Sequence, residues 1–136
     1  MPSRYFTVEQ ANRLLPQLVP LLEELRALKR QLDRVGGEHL RLQEKARTNG
    51  YNRAAEIADV GGQLERLINE TNDRIARLNA LGVELKDIEM GLVDFPSLRH
   101  NRRIYLCWKL GEPSVQYWHT VEEGYAGRQP IPGTET

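Results

Sequence analysis

The sequence predicts an α+β fold: a long antiparallel helical hairpin, coiled-coil-like, followed by a small antiparallel β-sheet of three or four strands packed at the hairpin base. Three observations carry that expectation. Apolar residues follow a heptad spacing through the first third of the chain, and the spacing resumes after one short break. At Gly82 the period changes from helical to alternating. Six of the nine aromatic residues, Phe95, Tyr105, Trp108, Tyr117, Trp118 and Tyr125, lie beyond that point, where a sheet would need bulky packing material. The chain therefore divides into a hairpin over residues 1–82, a sheet over 83–127 and an irregular C-terminal tail over 128–136, all within one structural unit.

The first helix has a marked start. Thr7 as N-cap with Gln10 three residues later forms a capping box, and Tyr5 or Phe6 supplies an apolar contact before it. Leu14, Leu18, Leu21, Leu25, Leu28, Leu32, Val35, His39, Leu42 and Ala46 then alternate steps of four and three, and nine of these ten are apolar. A helix from Val8 to Ala46 is roughly 58 Å long at about 1.5 Å per residue. Pro16 and Pro20 fall inside it, each removing a donor and crowding the carbonyl four residues back, so a kink is expected there.

Thr48, Asn49 and Gly50 break the pattern. A second helix follows on Ile57, Gly61, Leu64, Ile68, Thr71, Ile75, Leu78 and Gly82, and the short connection makes the two helices antiparallel. With a turn near Asn49, residues whose numbers sum to about 98 share a level. Gly36 and Gly37 then meet Gly61 and Gly62. Helix-interior glycine costs roughly 1 kcal/mol against alanine, so two pairs at one level point to close backbone approach or to a joint, with a hinge used on partner binding as the sharper reading.

The strands are expected at Val83–Asp87, Leu92–Phe95, Ile104–Leu110 and Val115–His119. Pro96 stops the second, and His100-Asn101 and Gly111-Glu112-Pro113 are turns.

Composition narrows the function classes. Nineteen Lys and Arg balance nineteen Asp and Glu, which argues against a dedicated nucleic-acid or acidic-membrane binder. The balance is internal: residues 1–82 carry 13 basic and 11 acidic side chains, residues 83–136 carry 6 and 8. No run is long and uncharged enough for a membrane span, and the start has no apolar core of signal-peptide length. A single cysteine, Cys107, excludes an internal disulfide framework and suits a reducing compartment, so a cytoplasmic location is expected.

The sheet segment also carries a resemblance. Gly82-Val83-Glu84-Leu85-Lys86-Asp87, Gly91-Leu92-Val93-Asp94-Phe95-Pro96, Tyr105-Leu106-Cys107-Trp108, Gly111-Glu112-Pro113 and Tyr117-Trp118-His119 closely resemble the uncharacterised bacterial family known as domain of unknown function 2203. Phe6-Thr7 and Leu15-Pro16 are similar too, so the resemblance spans nearly the whole chain. It implies a small bacterial cytosolic protein and supplies no activity, cofactor or partner.

Chemistry must come from the residues. Asp87, Glu89, Asp94, Glu112 and His119 gather on the sheet, with Glu122 and Glu123 just beyond. Carboxylates with one imidazole are ligands for a divalent metal, and Asp94, Glu112 and His119 are the candidate set, although no paired His-x-x-His or Cys-x-x-Cys element accompanies them. The more ordinary reading makes Asp94 and Glu112 turn residues or ion-pair partners of Arg99, Arg102 and Arg103. Cys107 with His119 as base reads as a nucleophile, or as a small buried side chain between Leu106 and Trp108. Arg41, Lys45, Arg47 and Arg53 around Tyr51 form a basic hairpin tip offset by Glu38, Glu44 and Glu56.

The heptad seam points elsewhere. Leu18, Leu21, Leu25, Leu28, Leu32, Ile68 and Ile75 form a candidate interaction seam, and Leu15, Val19, Leu22 and Leu40 widen the apolar surface beyond what two helices cover. The leading expectation is therefore a non-catalytic interaction or oligomerisation module, self-associating as a homodimer or capturing a partner helix, with no cofactor. The alternative is a metal-dependent hydrolase or small-ligand binder using the acidic residues and histidine of the sheet. Neither membrane nor nucleic acid is an expected partner.

Overall fold

A computed structural model describes residues 4–49 and 53–132. The tip residues Gly50, Tyr51 and Asn52 and the final residues 133–136, on which the expectations of an aromatic tip and an irregular end partly rest, lie outside the described residues. Two helices come first, α1 (Val8–Asn49) and α2 (Ala54–Ala80). Five strands follow, β1 (Glu84–Asp87), β2 (Leu92–Arg99), β3 (Arg102–Lys109), β4 (Tyr117–Thr120) and β5 (Gln129–Pro130), with a single 3₁₀ turn at Tyr125–Gly127 between the last two.

The capping box forms as the spacing predicts. Thr7 N–H donates to Gln10 Oε1 at 3.0 Å, and Gln10 N–H donates to Thr7 Oγ1 at 3.1 Å. α1 runs unbroken through Pro16 and Pro20, both of which are exposed. The carbonyls that lose a donor lie on that same face, four residues back, where water can satisfy them. The hairpin register also follows the expected sum: Arg74 Nε donates to Glu24 Oε2 at 3.0 Å, and the His39 ring lies beside Gly61.

The sheet is antiparallel throughout, in the order β1-β2-β3-β4-β5. It has one strand more than the highest count expected, because part of the tail read as irregular pairs with β4: Tyr117 stands opposite Pro130 and Trp118 opposite Gln129. Proline is tolerated there because β5 is the outermost strand.

Pro96 does not end β2, contrary to expectation; the strand continues to Arg99. The reason lies in the direction of its backbone. Pro96 C=O accepts from Phe6 N–H at 2.7 Å, on the side away from β3, and the missing Pro96 N–H would point the same way. No ladder bond to β3 is lost. Ser97 Oγ donates to Phe6 C=O at 2.6 Å, so the segment before α1 is tied to β2 twice.

The core lies between α1 and one face of the sheet. Ala11, Leu14, Leu18, Leu22 and Leu25 of α1 meet Val93, Phe95, Ile104, Leu106 and Trp108, with Phe6 edge-on to Phe95 at 5.3 Å between ring centres. Leu22 is fully buried whereas Leu21 is half-buried. α1 has two neighbours, α2 and the sheet, so its buried arc is wider than a two-helix seam. Leu15 and Val19 pack against the same core, so the surplus apolar surface near the base is covered within the chain.

The glycines separate into two kinds. A Cβ on Gly61 would sit 3.3 Å from His39 Nε2, whereas on Gly37 and Gly62 it would meet only the arginine side chains of Arg41 and Arg66, at 3.6 and 3.8 Å. Gly91, between β1 and β2, has φ +64°, and a Cβ there would lie 2.5 Å from Leu110 Cγ. Gly37→Ala and Gly62→Ala should each raise the unfolding free energy by up to about 1 kcal/mol through helix propensity, Gly61→Ala should gain less than Gly62→Ala, and Gly91→Ala should lower it by about 1–3 kcal/mol. Urea unfolding midpoints measure all four.

Candidate functional site

Strand alternation decides what the other face of the sheet carries. Since Val93 and Phe95 of β2 and Leu106 and Trp108 of β3 face the helices, Asp94, Tyr105 and Cys107 must face away. Asp94 stands directly opposite Cys107, and Tyr105 opposite His119, which sets His119 diagonally across from Cys107. The three side chains converge: one carboxylate oxygen of Asp94, Cys107 Sγ and one ring nitrogen of His119 all lie within 4.8 Å of one another, and all three residues are buried.

His119 is held at both nitrogens. Nε2 lies 3.0 Å from Asp94 Oδ1, and Nδ1 lies 2.7 Å from the C=O of Thr120. A carbonyl only accepts, so Nδ1 carries a hydrogen and donates to it. A proton is then needed between Nε2 and Oδ1, since two lone pairs facing each other at that distance would repel. Imidazolium with carboxylate and imidazole with carboxylic acid both meet this requirement, and both leave the pair formally neutral.

Burial raises the Asp94 carboxyl above its usual range, against the opposing pull of hydrogen bonds from His119 and Cys107 and the charge of Lys86. The Cys107 thiol is pushed up from 9.0 to about 12, first by burial and then by the charge of Asp94, with Arg128 pulling the other way. Cys107 therefore sits as a protonated thiol, in line with its reading as a small buried side chain.

Glu112 does not join Asp94 and His119. Its carboxylate is gripped by Arg128, with Nη1 to Oε2 at 2.8 Å and Nη2 to Oε1 at 2.9 Å, and it also accepts from Lys109 N–H at 3.0 Å. Arg128 lies over the Tyr117 ring at 4.0 Å and near the Tyr125 ring at 4.9 Å, so the ion pair is clamped by aromatics and mostly buried. The third member of the cluster is Cys107 instead. A signal for this exists in the sequence: a two-residue turn at His100-Asn101 makes cross-strand partners sum to 201, and Asp94 plus Cys107 does so. Arg128 had no such signal, since it lies in the segment read as a tail.

Asp87, Glu89 and Glu123 are occupied separately, and Glu122 is exposed beyond β4. Asp87 Oδ1 accepts from Met90 N–H at 2.8 Å in the β1–β2 turn. Glu89 pairs with Arg30, while its C=O accepts from Arg26 Nε at 2.9 Å, docking that turn onto α1. Glu123 pairs with Thr120. Around the cluster, Glu84 accepts from Tyr105 and Lys86; burial alone would raise its carboxyl, but these bonds hold it below the usual range. A cleft of about 420 Å³ opens over Asp94 and His119, bordered by Lys86, Tyr105, Val121 and Tyr125.

The seam residues divide by position along the hairpin. Leu18, Leu25 and Leu28 are buried within the chain, Leu21, Leu32 and Ile75 are half-buried, and Ile68 is 44% exposed. Gly36, Gly37, Gly61 and Gly62 all lie inside continuous helix.

Fold and site together define an α+β protein with a projecting helical hairpin and a buried polar constellation on the open face of its sheet. The chain belongs to the family described as an uncharacterised conserved protein, DUF2203, whose model matches residues 4–131. Searches of curated proteins and of solved structures give no significant match. Among the described residues, no helix is long and apolar enough to cross a membrane.

A thiol raised from 9.0 to about 12 has a definite effect on stability. Its contribution is fully present below pH 9 and is lost as pH rises through about 12. Above pH 9 the wild-type chain should lose up to about 1.4 kcal/mol per pH unit more than Cys107→Ser, which has no titrating group there. Urea unfolding of both proteins across this range checks the difference.

Proposed function

We propose that this protein is a non-catalytic association module that dimerises through the outer half of its hairpin. The observation that carries the proposal is a change in burial along the helices. Leu18, Leu22 and Leu25 are completely buried under the sheet, whereas beyond Leu28 no leucine or valine of α1 is fully buried: Leu32, Val35 and Leu42 are half-buried and Leu40 is 67% exposed. On α2, Ile57, Leu64 and Leu67 are half-buried and Ile68 is 44% exposed, leaving Val60 as the buried anchor of this half.

Two helices alone bury one stripe each, and a pair with half-exposed stripes gains by packing against a second pair. A second copy presents a matching stripe by symmetry, which is why we assign self-association over capture of an unrelated helix. Gly37 and Gly62, which no packing contact demands, are where we place flexure as the halves adjust. We infer a cytoplasmic setting, since one buried, protonated cysteine suits a reducing compartment.

Light scattering at micromolar concentration should give twice the chain mass. Leu40→Glu and Ile68→Glu together should convert the protein to a monomer while leaving its circular dichroism unchanged, since both side chains are exposed within the chain. A wild-type monomer mass would sink the proposal.

A further inference from the structure

We propose that Asp94, Cys107 and His119 form a binding site for a thiophilic divalent metal, Zn²⁺ in the first instance, with the cleft supplying an open fourth position. The proposal is independent of dimerisation, because every ligand comes from one chain.

The donor set fits the ion. Thiolate, imidazole and carboxylate are the three side-chain types that bind zinc, and three protein ligands leave the fourth tetrahedral position open to water or a small ligand. The spacing fits as well. Bonds of about 2.0–2.3 Å arranged tetrahedrally place ligand atoms roughly 3.3–3.8 Å apart, and the three donor atoms already lie within 4.8 Å of one another, with Nε2 and Oδ1 closer still at 3.0 Å. The last pair must open by a few tenths of an ångström, which is the expected change when a metal replaces the proton between them.

The surroundings are those of a ligand histidine. Nδ1 of His119 is fixed by the Thr120 carbonyl, which turns Nε2 towards Asp94 and Cys107, and this backbone restraint is the usual support of a histidine that ligates through Nε2. Zinc with one carboxylate and one thiolate is formally neutral, so the loaded site is suited to burial. Asp94 and His119 border the cleft and provide an entry path, whereas Cys107 is fully buried. Binding would displace two protons, one from the thiol and one from the Asp94–His119 pair, to solvent.

The test uses the full-length protein without a histidine tag, stripped with chelator and titrated with Co²⁺ and then Zn²⁺. One Co²⁺ per chain should bind with an intense near-ultraviolet thiolate-to-cobalt band that Zn²⁺ then bleaches. Cys107→Ser should abolish the band, and Asp94→Asn or His119→Gln, which each remove a ligand, should weaken binding by more than the roughly 10–100-fold that loss of an outer-shell partner costs, whereas Glu112→Gln, whose carboxylate belongs to Arg128, should keep it. Should the buried variants fail to fold, alkylation of wild-type Cys107 in mild urea gives a second reading: Zn²⁺ should slow it and chelator restore it. No band with the wild type, a band that survives Cys107→Ser, or alkylation at equal rates with and without Zn²⁺ would overturn the proposal, leaving the three residues as a hydrogen-bonded cluster that ties β4 to β2 across β3.

Discussion

Burial of one face of α1 against one face of the sheet is the constraint on which the rest of the structure depends. Ala11, Leu14, Leu18, Leu22 and Leu25 are sequestered only because Val93, Phe95, Leu106 and Trp108 all point towards them. A strand has two faces and a period of two, so orienting those residues inward leaves no choice for the residues between them. Asp94 and Cys107 are carried outward by the requirements of the core, and a slip of one residue in β2 would place a carboxylate among the leucines. The polar cluster and the hydrophobic core are thus two results of a single registration.

Much of this was legible in the sequence, because local rules and tertiary packing agree there. Thr7 and Gln10 cap α1 as their spacing requires, the hairpin levels follow from the position of the break, and His100-Asn101 makes a two-residue turn with both φ angles positive. Where sequence and structure differ, a distant partner changes the meaning of a local signal. Pro96 looks like a strand terminator until Phe6, far away in sequence, occupies the side on which the proline lacks a donor. Gln129–Pro130 looks like a loose end until the exposed edge of β4 accepts it.

The site was legible in part for the same reason. Asp94 and His119 could be singled out by residue type, and they do meet. Glu112 shares their chemistry but is claimed by Arg128, a residue whose position depends on the last turn and strand folding back over the sheet. Cys107 has chemistry of its own by residue type, yet its neighbour is a carboxylate reached through strand pairing rather than through sequence proximity. Residue types nominate candidates, and register decides which of them become neighbours.

The ties between the start of α1 and the sheet segment bear on how the molecule is made. Ser97 reaches back 91 residues to Phe6, and Val115 reaches back 103 residues to Asn12. During synthesis the hairpin emerges before the sheet, and the leucine face of α1 waits uncovered until β2 and β3 have left the ribosome. Such late closure raises the contact order and slows folding relative to a purely helical chain of the same size. It also opens a window in which the nascent hairpin presents its stickiest surface to other chains, so the same leucines that hold the finished protein together are its main hazard while it is incomplete.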